Sequence, residues 1–459
     1  MAENSKKEYW NYEIETMSKD EMVSLQLGKL KKQLRYNYDR SEFYRLKFIE
    51  AGINPEDVRS LEDFKQIPLM TKEEHRESQQ ASIEEHGHPY GPGTITCAPL
   101  NKIVRINATS GTTGKPTLYT LTQRDVEKVN EGNARRFWMA GIRPGDVIIQ
   151  GMALSMFVGG LPLAQGIMAV GACVVPVGVE GGTKRLLEFI ELTAPVGMFA
   201  TPSFGQYLIE QCPVLTSRSA SSLGIKWFFT AGEPGGGNPE VRKLLSEGLG
   251  GAKVFDHTGG GHSFCAGSCE GDPDHYTGMH FLSGDHCLLE LVDPKTKSSV
   301  DVFTGNSGEL VLTSLDWEGG PFMRYAYGYI VEVVSERCDC GRSGIKIRIV
   351  GRADDMLIVK GVNVYPEAVK RELLKFRPRL TGAFRIILDK HGPLVSPPLK
   401  LKVEHSEEVE KTELGVFEKE LQAHFKQHLR VTPKILWVER GVIPRETKKT
   451  KLIEIEQPD

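Results

Sequence analysis

The sequence contains no apolar run long enough to cross a membrane, and its acidic and basic residues nearly balance. The formal net charge is −3 with the two signs interspersed, so there is no electrostatic basis for binding nucleic acid or a membrane surface. The first residues also lack the apolar segment of a secretory signal peptide. We therefore expect a cytoplasmic protein that binds neither nucleic acid nor membranes.

Cysteine is scarce, since eight cysteines in 459 residues do not make a disulfide scaffold. Internal repeats and low-complexity tracts are also absent, which excludes solenoid and fibrous architectures. The chain is too long for a single hydrophobic core, so two or three domains are expected. Cys173 lies in the apolar run Ala-Cys-Val-Val, which predicts a small core residue.

Apolar periodicity divides the chain into an α/β fold with two domains. Between residues 145 and 260, short β-type runs alternate with amphipathic helical segments, which predicts a largely parallel sheet. Residues 285–350 show one strand pattern after another, which predicts a smaller β-rich subdomain. The remainder is a compact α+β pattern with a helix from Pro366. The predicted domains are a large N-terminal one, residues 1–351, and a small C-terminal one, residues 352–459.

The segment Thr109-Ser-Gly-Thr-Thr-Gly-Lys-Pro-Thr117 concentrates hydroxyls and glycines around one lysine. Glycines let backbone N–H groups approach phosphate oxygens, hydroxyls donate further hydrogen bonds, and the lysine supplies charge. It is not a Walker A loop, because too few residues separate its glycines and a proline follows its lysine. A surface turn is the alternative for part of the stretch, but the whole predicts a polyphosphate loop. The candidate nucleotide ligands in it are Thr109, Ser110, Gly111, Thr112, Thr113 and Lys115.

This loop resembles the phosphate loop of the adenylate-forming superfamily, the acyl-CoA synthetases and their relatives. The segment Gly351-Arg-Ala-Asp-Asp-Met-Leu-Ile resembles the hinge motif of that superfamily, about which a mobile C-terminal domain swings between adenylating and thioester-forming orientations. The resemblance assigns the hinge to Asp354 and a nucleotide-contacting arginine to Arg352. On composition alone, a linker followed by a β-hairpin fits this segment equally well.

The basic segment from Val442 to Lys451 resembles the superfamily's catalytic-lysine motif. Matching its Pro444-Arg445 places the catalytic lysine at Lys449, with Lys448 as an adjacent alternative. Taken alone, such a run is more often a solvated charged surface. The chemistry needs a cation there, because displacement of pyrophosphate by a carboxylate spreads negative charge over the α-phosphate and the bridging oxygen.

Two glycine-rich segments each follow a predicted strand, at the edge where open α/β sheets bind ligands. Each signal is weak alone, but together they resemble the adenine-binding pair of the phenylacetate–CoA ligase branch of the superfamily. They supply the nucleotide candidates Ala231, Gly232, Glu233, Pro234, Asp256, His257 and Thr258.

The segment Gly151-Met-Ala-Leu-Ser-Met-Phe157 resembles the aromatic motif beside the acyl pocket of the same branch. For Phe157, packing in the core is the alternative interpretation. The acyl-substrate candidates are Met152, Ser155, Met156, Phe157, Gly259 and Gly260.

Two positions depart from the family pattern. Where the family usually has a glutamate that helps to hold Mg²⁺, this sequence has His262, and a neutral imidazole is a poor ligand for that cation. Where the family usually has an aspartate that accepts hydrogen bonds from both ribose hydroxyls, this sequence has Tyr329, whose phenol lacks paired anionic oxygens. We expect His262 at the catalytic site, Tyr329 at the nucleotide site, and weakened ATP binding.

Cys338-Asp-Cys340 is a tight thiolate pair whose spacing is poor for a disulfide. Together with Cys269 and His280 upstream, it would complete a closed tetrahedral zinc site that joins two loops. Some members of the phenylacetate–CoA ligase branch carry a similar pattern that binds zinc. Four protein ligands leave no open position, so the site would be structural rather than catalytic. The alternative ligands are Cys265 and His275.

The resemblance implies a carboxylate–CoA ligase that uses MgATP. A carboxylate attacks the α-phosphate to give an acyl-adenylate and pyrophosphate, and the thiol of coenzyme A then displaces AMP. The apolar, soft candidates Phe157, Met152 and Met156 favour an aromatic or heteroaromatic acid. The alternatives are another acceptor (an amine, a carrier-protein thiol or a cofactor hydroxyl) and a non-catalytic ligand-binding homologue. The family is often dimeric.

Overall fold

The structure is a computed structural model that describes residues 8–109, 116–156, 159–360, 362–390, 392–445 and 451–456. Within these ranges an α/β N-terminal region precedes an α+β C-terminal region, which confirms the predicted fold class. No helix in these ranges is both long and apolar enough to cross a lipid bilayer.

The first described elements are helices that begin at side-chain caps. At the start of α4 (Leu61–Phe64), the Ser60 hydroxyl accepts a hydrogen bond from the Asp63 amide, and the Asp63 carboxylate accepts one from the Ser60 amide. These two hydrogen bonds form the predicted capping box. A second box, formed by Thr71 and Glu74, begins α5 and places Lys72 in its first turn. The helices are α1 (Tyr12–Glu15), α2 (Lys19–Arg40), α3 (Glu42–Glu50), α4 (Leu61–Phe64) and α5 (Lys72–His86).

A two-stranded ribbon, β1 (Ile103–Ala108) and β2 (Leu118–Thr122), leads into α6 (Gln123–Met139). Strands and helices then alternate as predicted, and the strands β3 to β7 pair in parallel. The strands are β3 (Val147–Gln150), β4 (Cys173–Val175), β5 (Gly197–Ala200), β6 (Trp227–Thr230) and β7 (Lys253–Gly259). The helices between them are α7 (Leu161–Ala169), α8 (Thr183–Thr193), α9 (Pro202–Thr216) and α10 (Pro239–Gly248).

The predicted β-rich subdomain is present as a run of antiparallel strands, and these strands share one sheet with the parallel strands. After β7 the chain turns back, and β8 (Cys265–Gly267) pairs with β7 in the antiparallel direction. The parallel and antiparallel strands therefore form one continuous 12-stranded sheet. Its order is β11-β10-β12-β13-β14-β9-β8-β7-β6-β5-β3-β4. The added strands are β8 (Cys265–Gly267), β9 (Met279–Phe281), β10 (Cys287–Val292), β11 (Ser299–Val300), β12 (Ser307–Ser314), β13 (Tyr325–Ser335) and β14 (Lys346–Arg352).

Cys173 is exposed, so the prediction that it is a core residue is wrong. It is the first residue of β4, and β4 is the edge strand of the large sheet. One side of an edge strand has no neighbouring strand to cover it, and the apolar run around Cys173 does not reveal this.

The C-terminal region has its own hydrophobic core, which includes Val369, Leu401 and Phe425. Leu374, the last residue of α11 (Pro366–Leu374), is instead buried in a core cluster of the N-terminal region. It therefore packs this helix against the N-terminal region. The elements are β15 (Leu357–Val359), β16 (Val362–Val364), α11 (Pro366–Leu374), β17 (Leu380–Leu388), β18 (Leu394–Val395), β19 (Lys400–His405), α12 (Leu414–Leu429), β20 (Lys434–Val438) and β21 (Ile453–Ile455). The predicted domain boundary falls at the end of β14 and stays a prediction.

A buried ion pair ties α6 to the antiparallel half of the sheet. The Arg135 guanidinium donates to both carboxylate oxygens of Asp285, at 2.6 and 3.0 Å, and the two side chains are 1% and 5% exposed. Burial favours the neutral carboxyl, but Arg135 outweighs it and lowers the pKa of Asp285 to about 2. The contribution of this ion pair to the free energy of unfolding is therefore present above about pH 4. It is lost as the pH falls toward 2 and the carboxylate is protonated.

We expect Asp285→Ala to lower the free energy of unfolding by about 3–5 kcal/mol, because the buried Arg135 loses the carboxylate that pairs with both of its terminal nitrogens and keeps one ion pair, with Glu131. Urea unfolding followed by circular dichroism would measure the loss. The matched control is Asp39→Ala, which removes an ion pair with Arg35 whose side chains are 45% and 55% exposed. That control should cost at most about 1 kcal/mol. Equal effects of the two substitutions would contradict the assignment of Asp285 as a structural anchor.

Candidate active site

A cavity of about 790 Å³ lies at the carboxyl ends of the parallel strands. Thr201 follows β5, Ala231 follows β6, and the end of β7 contributes the segment from Asp256 to Gly259. The opposite wall comes from the C-terminal region, through α11 and Lys451. The cavity therefore lies between the two regions, at the edge of the sheet where ligand sites are expected.

Most of the predicted site residues that the structure describes line this one cavity. They are Thr109, Met152, Ser155, Ala231, Gly232, Glu233, Pro234, Asp256, His257, Thr258, Gly259, Tyr329 and Arg352. Several predicted residues lie outside the described part of the chain, namely Ser110, Gly111, Thr112, Thr113, Lys115, Phe157 and Lys449, together with the alternative Lys448. Their predicted roles remain predictions.

Met156 and Gly260 are not part of the cavity lining, in contrast to the prediction. The Met156 residue is 59% exposed, so solvent rather than the cavity surrounds much of it. Gly260 has a φ of +91° and packs against Asn133 and Arg136, where an added Cβ would collide with both side chains. The glycine is thus required by packing and backbone conformation.

The base of the predicted phosphate loop is closed by hydrogen bonds between its two ends. The Thr109 amide donates to the Thr117 carbonyl at 3.0 Å, and the Thr117 amide donates to the Thr109 hydroxyl at 3.1 Å. The Thr117 hydroxyl lies 3.1 Å from the Tyr119 hydroxyl, in the wall behind. Thr109 and Thr117, the two ends of the predicted loop, both line the cavity.

Asp256 is held in the cavity wall beside the first glycine-rich segment. Its carboxylate accepts a hydrogen bond from the Tyr276 hydroxyl at 2.8 Å. Burial raises the pKa of Asp256 to about 6, although the Tyr276 hydrogen bond and the Arg242 charge act in the opposite direction. A carboxyl group of this kind can accept a hydrogen bond from an amino group on the edge of a nucleobase.

His257 contributes a neutral, packed ring to the same wall. The imidazole stacks against Phe199 at 5.8 Å and Phe229 at 5.7 Å between ring centroids. Burial, followed by the nearby Arg136 charge, places the pKa of His257 well below its ordinary value. His257 therefore shapes the wall and carries no charge near neutral pH.

Arg352 and Asp354 lie at the junction between the two regions. The Arg352 Nε donates to the Asp354 carboxylate at 2.8 Å, and its Nη2 contacts the second carboxylate oxygen. Burial opposes ionisation of Asp354, but the hydrogen bond from Arg352 outweighs it and lowers the pKa. Arg352 is also the ladder partner of Tyr329, with its guanidinium 5.6 Å from the centre of that ring. The arginine is thereby fixed in the cavity wall.

His262 does not reach the cavity lining, which corrects the expectation that it stands at the catalytic site. Its ring is enclosed by Phe322 at 4.0 Å and Trp317 at 4.6 Å between centroids. Its Nε2 is 2.9 Å from the Gly320 carbonyl, and since a carbonyl only accepts, this nitrogen is the donor. Burial lowers the pKa of His262 to about 3, so it is a neutral core side chain. Its sequence position aligned with a carboxylate, but position alone does not show which way a side chain packs.

Several charged residues that line the cavity were not among the predicted site residues. Lys72 and Arg76 approach from one face of α5, and burial together with the Arg352 charge lowers the pKa of Lys72 to about 8. Their spacing of four residues places both side chains on that face of the helix. The set comprises Lys72, Arg76, Glu332, Arg348, Glu367, Arg371 and Lys451.

The predicted zinc ligands form a cluster in which the donor atoms of Cys269, His280, Cys338 and Cys340 all lie within 4.8 Å of one another. The Cys269 and Cys338 sulfurs are 3.6 Å apart, and the Cys340 sulfur is 3.3 Å from His280 Nε2. The hydrogen bond with His280 lowers the pKa of Cys338 below its ordinary value. Three thiolates and one imidazole fit a closed tetrahedral zinc site.

The two alternative zinc ligands are not in this cluster. Cys265 is buried elsewhere and donates through its thiol to the Gly132 carbonyl at 3.3 Å. His275 is exposed and pairs with Asp272 at 3.6 Å. None of the four clustered ligands lines the cavity described above, which is consistent with a structural role.

Comparisons with known proteins agree with this architecture. A family model described as AMP-binding enzyme matches residues 45–315, and one described as AMP-binding enzyme C-terminal domain matches residues 361–454. The chain is 33% identical to the phenylacetate–coenzyme A ligase of Thermus thermophilus, over 94% of this chain and 96% of that protein. It is 31% identical to the enzyme of the same name from Escherichia coli, over 86% and 85%.

Solved structures extend the comparison to the arrangement of the two regions. The crystal structure of 2-hydroxyisobutyryl-CoA ligase with an acyl-AMP, in the postadenylation state, is 28% identical, with a TM-score of 0.86 over 98% of this chain and 93% of that chain. The same ligase in the thioesterification state, with 2-HIB-AMP and CoA, gives 0.69 at 29% identity over 98% and 92%. The arrangement seen here is therefore closer to the postadenylation state. With the matching family models and curated relatives, this shows that the chain belongs to the adenylate-forming family of AMP-binding enzymes, as a phenylacetate–CoA ligase-like member of the AMP-forming acyl-CoA ligases.

Proposed function

We propose that this protein activates an aromatic or heteroaromatic acid as its acyl-adenylate and transfers the acyl group to coenzyme A. The observation that carries the proposal is the single cavity in which the predicted nucleotide wall, Arg352 and an apolar acyl wall meet. The names of the relatives support the same chemistry, since they are CoA ligases of a phenyl-substituted acid and of a hydroxy acid.

In the first half-reaction the carboxylate oxygen of the acid attacks the α-phosphorus of ATP, and the bond to pyrophosphate breaks. Arg352, Lys72 and Arg76 supply positive charge from the N-terminal side of the cavity. Lys449 is the proposed catalytic ammonium, and Lys451, two residues further along the chain, lines the cavity. Mg²⁺ would supply further charge neutralisation on the phosphates. The candidate oxygen donors in the lining are Glu367 and Glu332, of which Glu332 also pairs with Arg348 at 2.7 Å.

In the second half-reaction the thiol sulfur of coenzyme A attacks the acyl carbon, and AMP leaves. We propose that the C-terminal region first rotates about Asp354. This rotation either separates Asp354 from Arg352 or moves the two residues together. It also moves Lys449 away from the phosphate. The buried Leu374 side chain must also leave its place in the N-terminal core.

The shape of the apolar wall supports a flat acyl group. Met152 packs so closely against Gly159 and Gly232 that a Cβ on either glycine would lie within 3 Å of the Met152 methyl. With Leu163 and Ala231, these residues line the cavity. A planar ring buries apolar area well against an apolar wall of this kind.

The proposal is tested by measuring pyrophosphate release over a panel of carboxylic acids, with and without coenzyme A. We expect aromatic acids to give acyl-AMP, detected by mass spectrometry, and AMP release to depend on coenzyme A. Acyl-AMP formation without that dependence would support another acceptor, such as an amine or a carrier-protein thiol. Failure to form acyl-AMP from any acid or nucleotide would support a non-catalytic homologue. Size-exclusion chromatography with light scattering would test whether this protein forms the homodimer that is common in the family.

We expect Lys449→Ala to reduce adenylate formation by about 10²–10³-fold, because one positioned charge is lost from the transition state. Thioester formation from supplied acyl-AMP should fall much less, since the lysine has no role in that step. Each half-reaction is measured in single-turnover experiments. Lys448→Ala is the matched control, and an equal loss in that variant, or equal damage to both half-reactions by Lys449→Ala, would contradict the assignment.

We expect Tyr329→Asp to lower the ATP KM by about tenfold or more, because a carboxylate can accept charge-assisted hydrogen bonds that a phenol cannot. His262→Glu should leave the ATP KM unchanged and lower the melting temperature, since it places a carboxylate in an aromatic enclosure. ATP-dependent kinetics and thermal unfolding measure the two effects. A lower ATP KM in the His262→Glu variant would show that this side chain faces the nucleotide.

We expect the purified protein to hold zinc at the cysteine cluster, and Cys338→Ser to remove that zinc and lower thermal stability. The reason is that the binding free energy of a structural metal contributes to folding. Cys265→Ser is the matched control, since this thiol lies outside the cluster. Elemental analysis and thermal unfolding give the readouts. Zinc retained by Cys338→Ser at full occupancy would refute the ligand set.

A further inference from the structure

A second cluster of metal-binding side chains lies in the C-terminal region. It is formed by Glu372 on α11 and by His424 and His428 on α12, and their donor atoms all lie within 4.8 Å of one another. None of these three residues lines the cavity or belongs to the cysteine cluster. The function proposed above makes no use of them.

The two histidines are one helical turn apart and face the same carboxylate. Their rings stack with centroids 4.0 Å apart and planes inclined by 27°. His424 Nε2 lies 2.8 Å from a carboxylate oxygen of Glu372. In a tetrahedral site with bonds of about 2.1 Å, donor atoms lie about 3.4 Å apart, so small side-chain rotations bring these three donors around one ion.

The hydrogen bonding of His428 prepares it as a ligand. Its Nδ1 lies 2.9 Å from the backbone carbonyl of His424, and because a carbonyl only accepts, Nδ1 carries the proton. In the neutral ring this leaves the lone pair on Nε2, which is therefore the ring nitrogen available to a metal ion. Histidines that bind metals in proteins are usually oriented in this way by a hydrogen bond from their other ring nitrogen.

Glu372 supplies a buried oxygen donor, since the residue is only 2% exposed. Its carboxylate contacts Lys375 at 2.6 Å, His424 at 2.8 Å and Arg371 at 3.1 Å. Lys375 is the direct competitor of a metal ion, with its Nζ 2.6 Å from the oxygen that contacts His424. The Lys375 side chain is 42% exposed and can move into solvent.

We propose that Glu372, His424 and His428 form a second metal site that takes a borderline divalent transition ion, of the class of Zn²⁺, Co²⁺ or Ni²⁺. Two imidazoles and one carboxylate favour these ions over Mg²⁺ and Ca²⁺, which prefer all-oxygen sites. Three protein ligands leave a coordination position for water.

A metal ion at this site ties α11 to α12. The same α11 supplies Glu367 and Arg371 to the cavity wall, and Arg371 Nε contacts Glu372 at 3.1 Å. Binding therefore fixes the helix that forms the C-terminal side of the cavity. It also replaces part of the positive charge with which Lys375 and Arg371 neutralise Glu372.

The test counts metal ions on the full-length protein after dialysis against buffered Co²⁺. The wild-type protein should hold one ion per chain more than His428→Ala. Both proteins have the cysteine cluster, so any ion bound there cancels when the two counts are subtracted. His86→Ala is the matched control, since it removes a histidine of α5 far from the cluster in sequence and should leave the count unchanged.

A titration with Co²⁺ gives an independent readout, in which two substitutions should change the metal affinity in opposite directions. His428→Ala should weaken the second binding event by about 100-fold, the upper end of the range for losing an interaction that supports a metal. Lys375→Gln should tighten it by about two- to fivefold, since it removes an exposed ion pair that competes with the metal. Equal ion counts in wild type and His428→Ala would overturn the proposal. So would a second binding event that neither substitution alters.

Discussion

The cavity depends on the parallel pairing of β5, β6 and β7, because that pairing brings the ends of distant segments together. Phe199, Phe229 and Phe255 are ladder partners, and their rings stack at 6.1 and 5.5 Å behind the cavity wall. A slip of one residue in any strand would turn these rings to the opposite face of the sheet. The positions of Ala231 and Asp256 therefore follow from a buried aromatic column that makes no contact with substrate.

Positively charged side chains cluster on the N-terminal side of the cavity. Lys72, Arg76, Arg348 and Arg352 enter it from two elements, α5 and β14. The lowered pKa of Lys72 arises from burial and from the Arg352 charge, so these cations raise one another's energy. A polyphosphate relieves that repulsion. The paired contacts of Arg352 with Asp354 link this charged wall to the junction about which the C-terminal region is proposed to turn.

Much of the fold could be predicted because its signals are local. Apolar alternation placed β3 at Val147–Gln150, as observed, and helical periodicity placed α10 from Pro239. Two of the segments that reach the cavity were identified from their glycine-rich composition after predicted strands together with the family resemblance, since each signal is weak alone. The continuity of the 12-stranded sheet was not predictable, because it depends on β8 pairing with β7 rather than on any property of the β-rich segment itself.

The sequence alone determined which chemical groups are available, where regular elements begin and end, and which superfamily the motifs resemble. Only the tertiary structure decided which of those groups face the cavity. His262 and Tyr329 both replace carboxylates of the family pattern, yet one is enclosed by Trp317 and Phe322 and the other lines the cavity. The physical reason is that burial and hydrogen-bond partners come from residues far apart in the chain. The same holds for Glu372 and His424, which meet only when two helices pack.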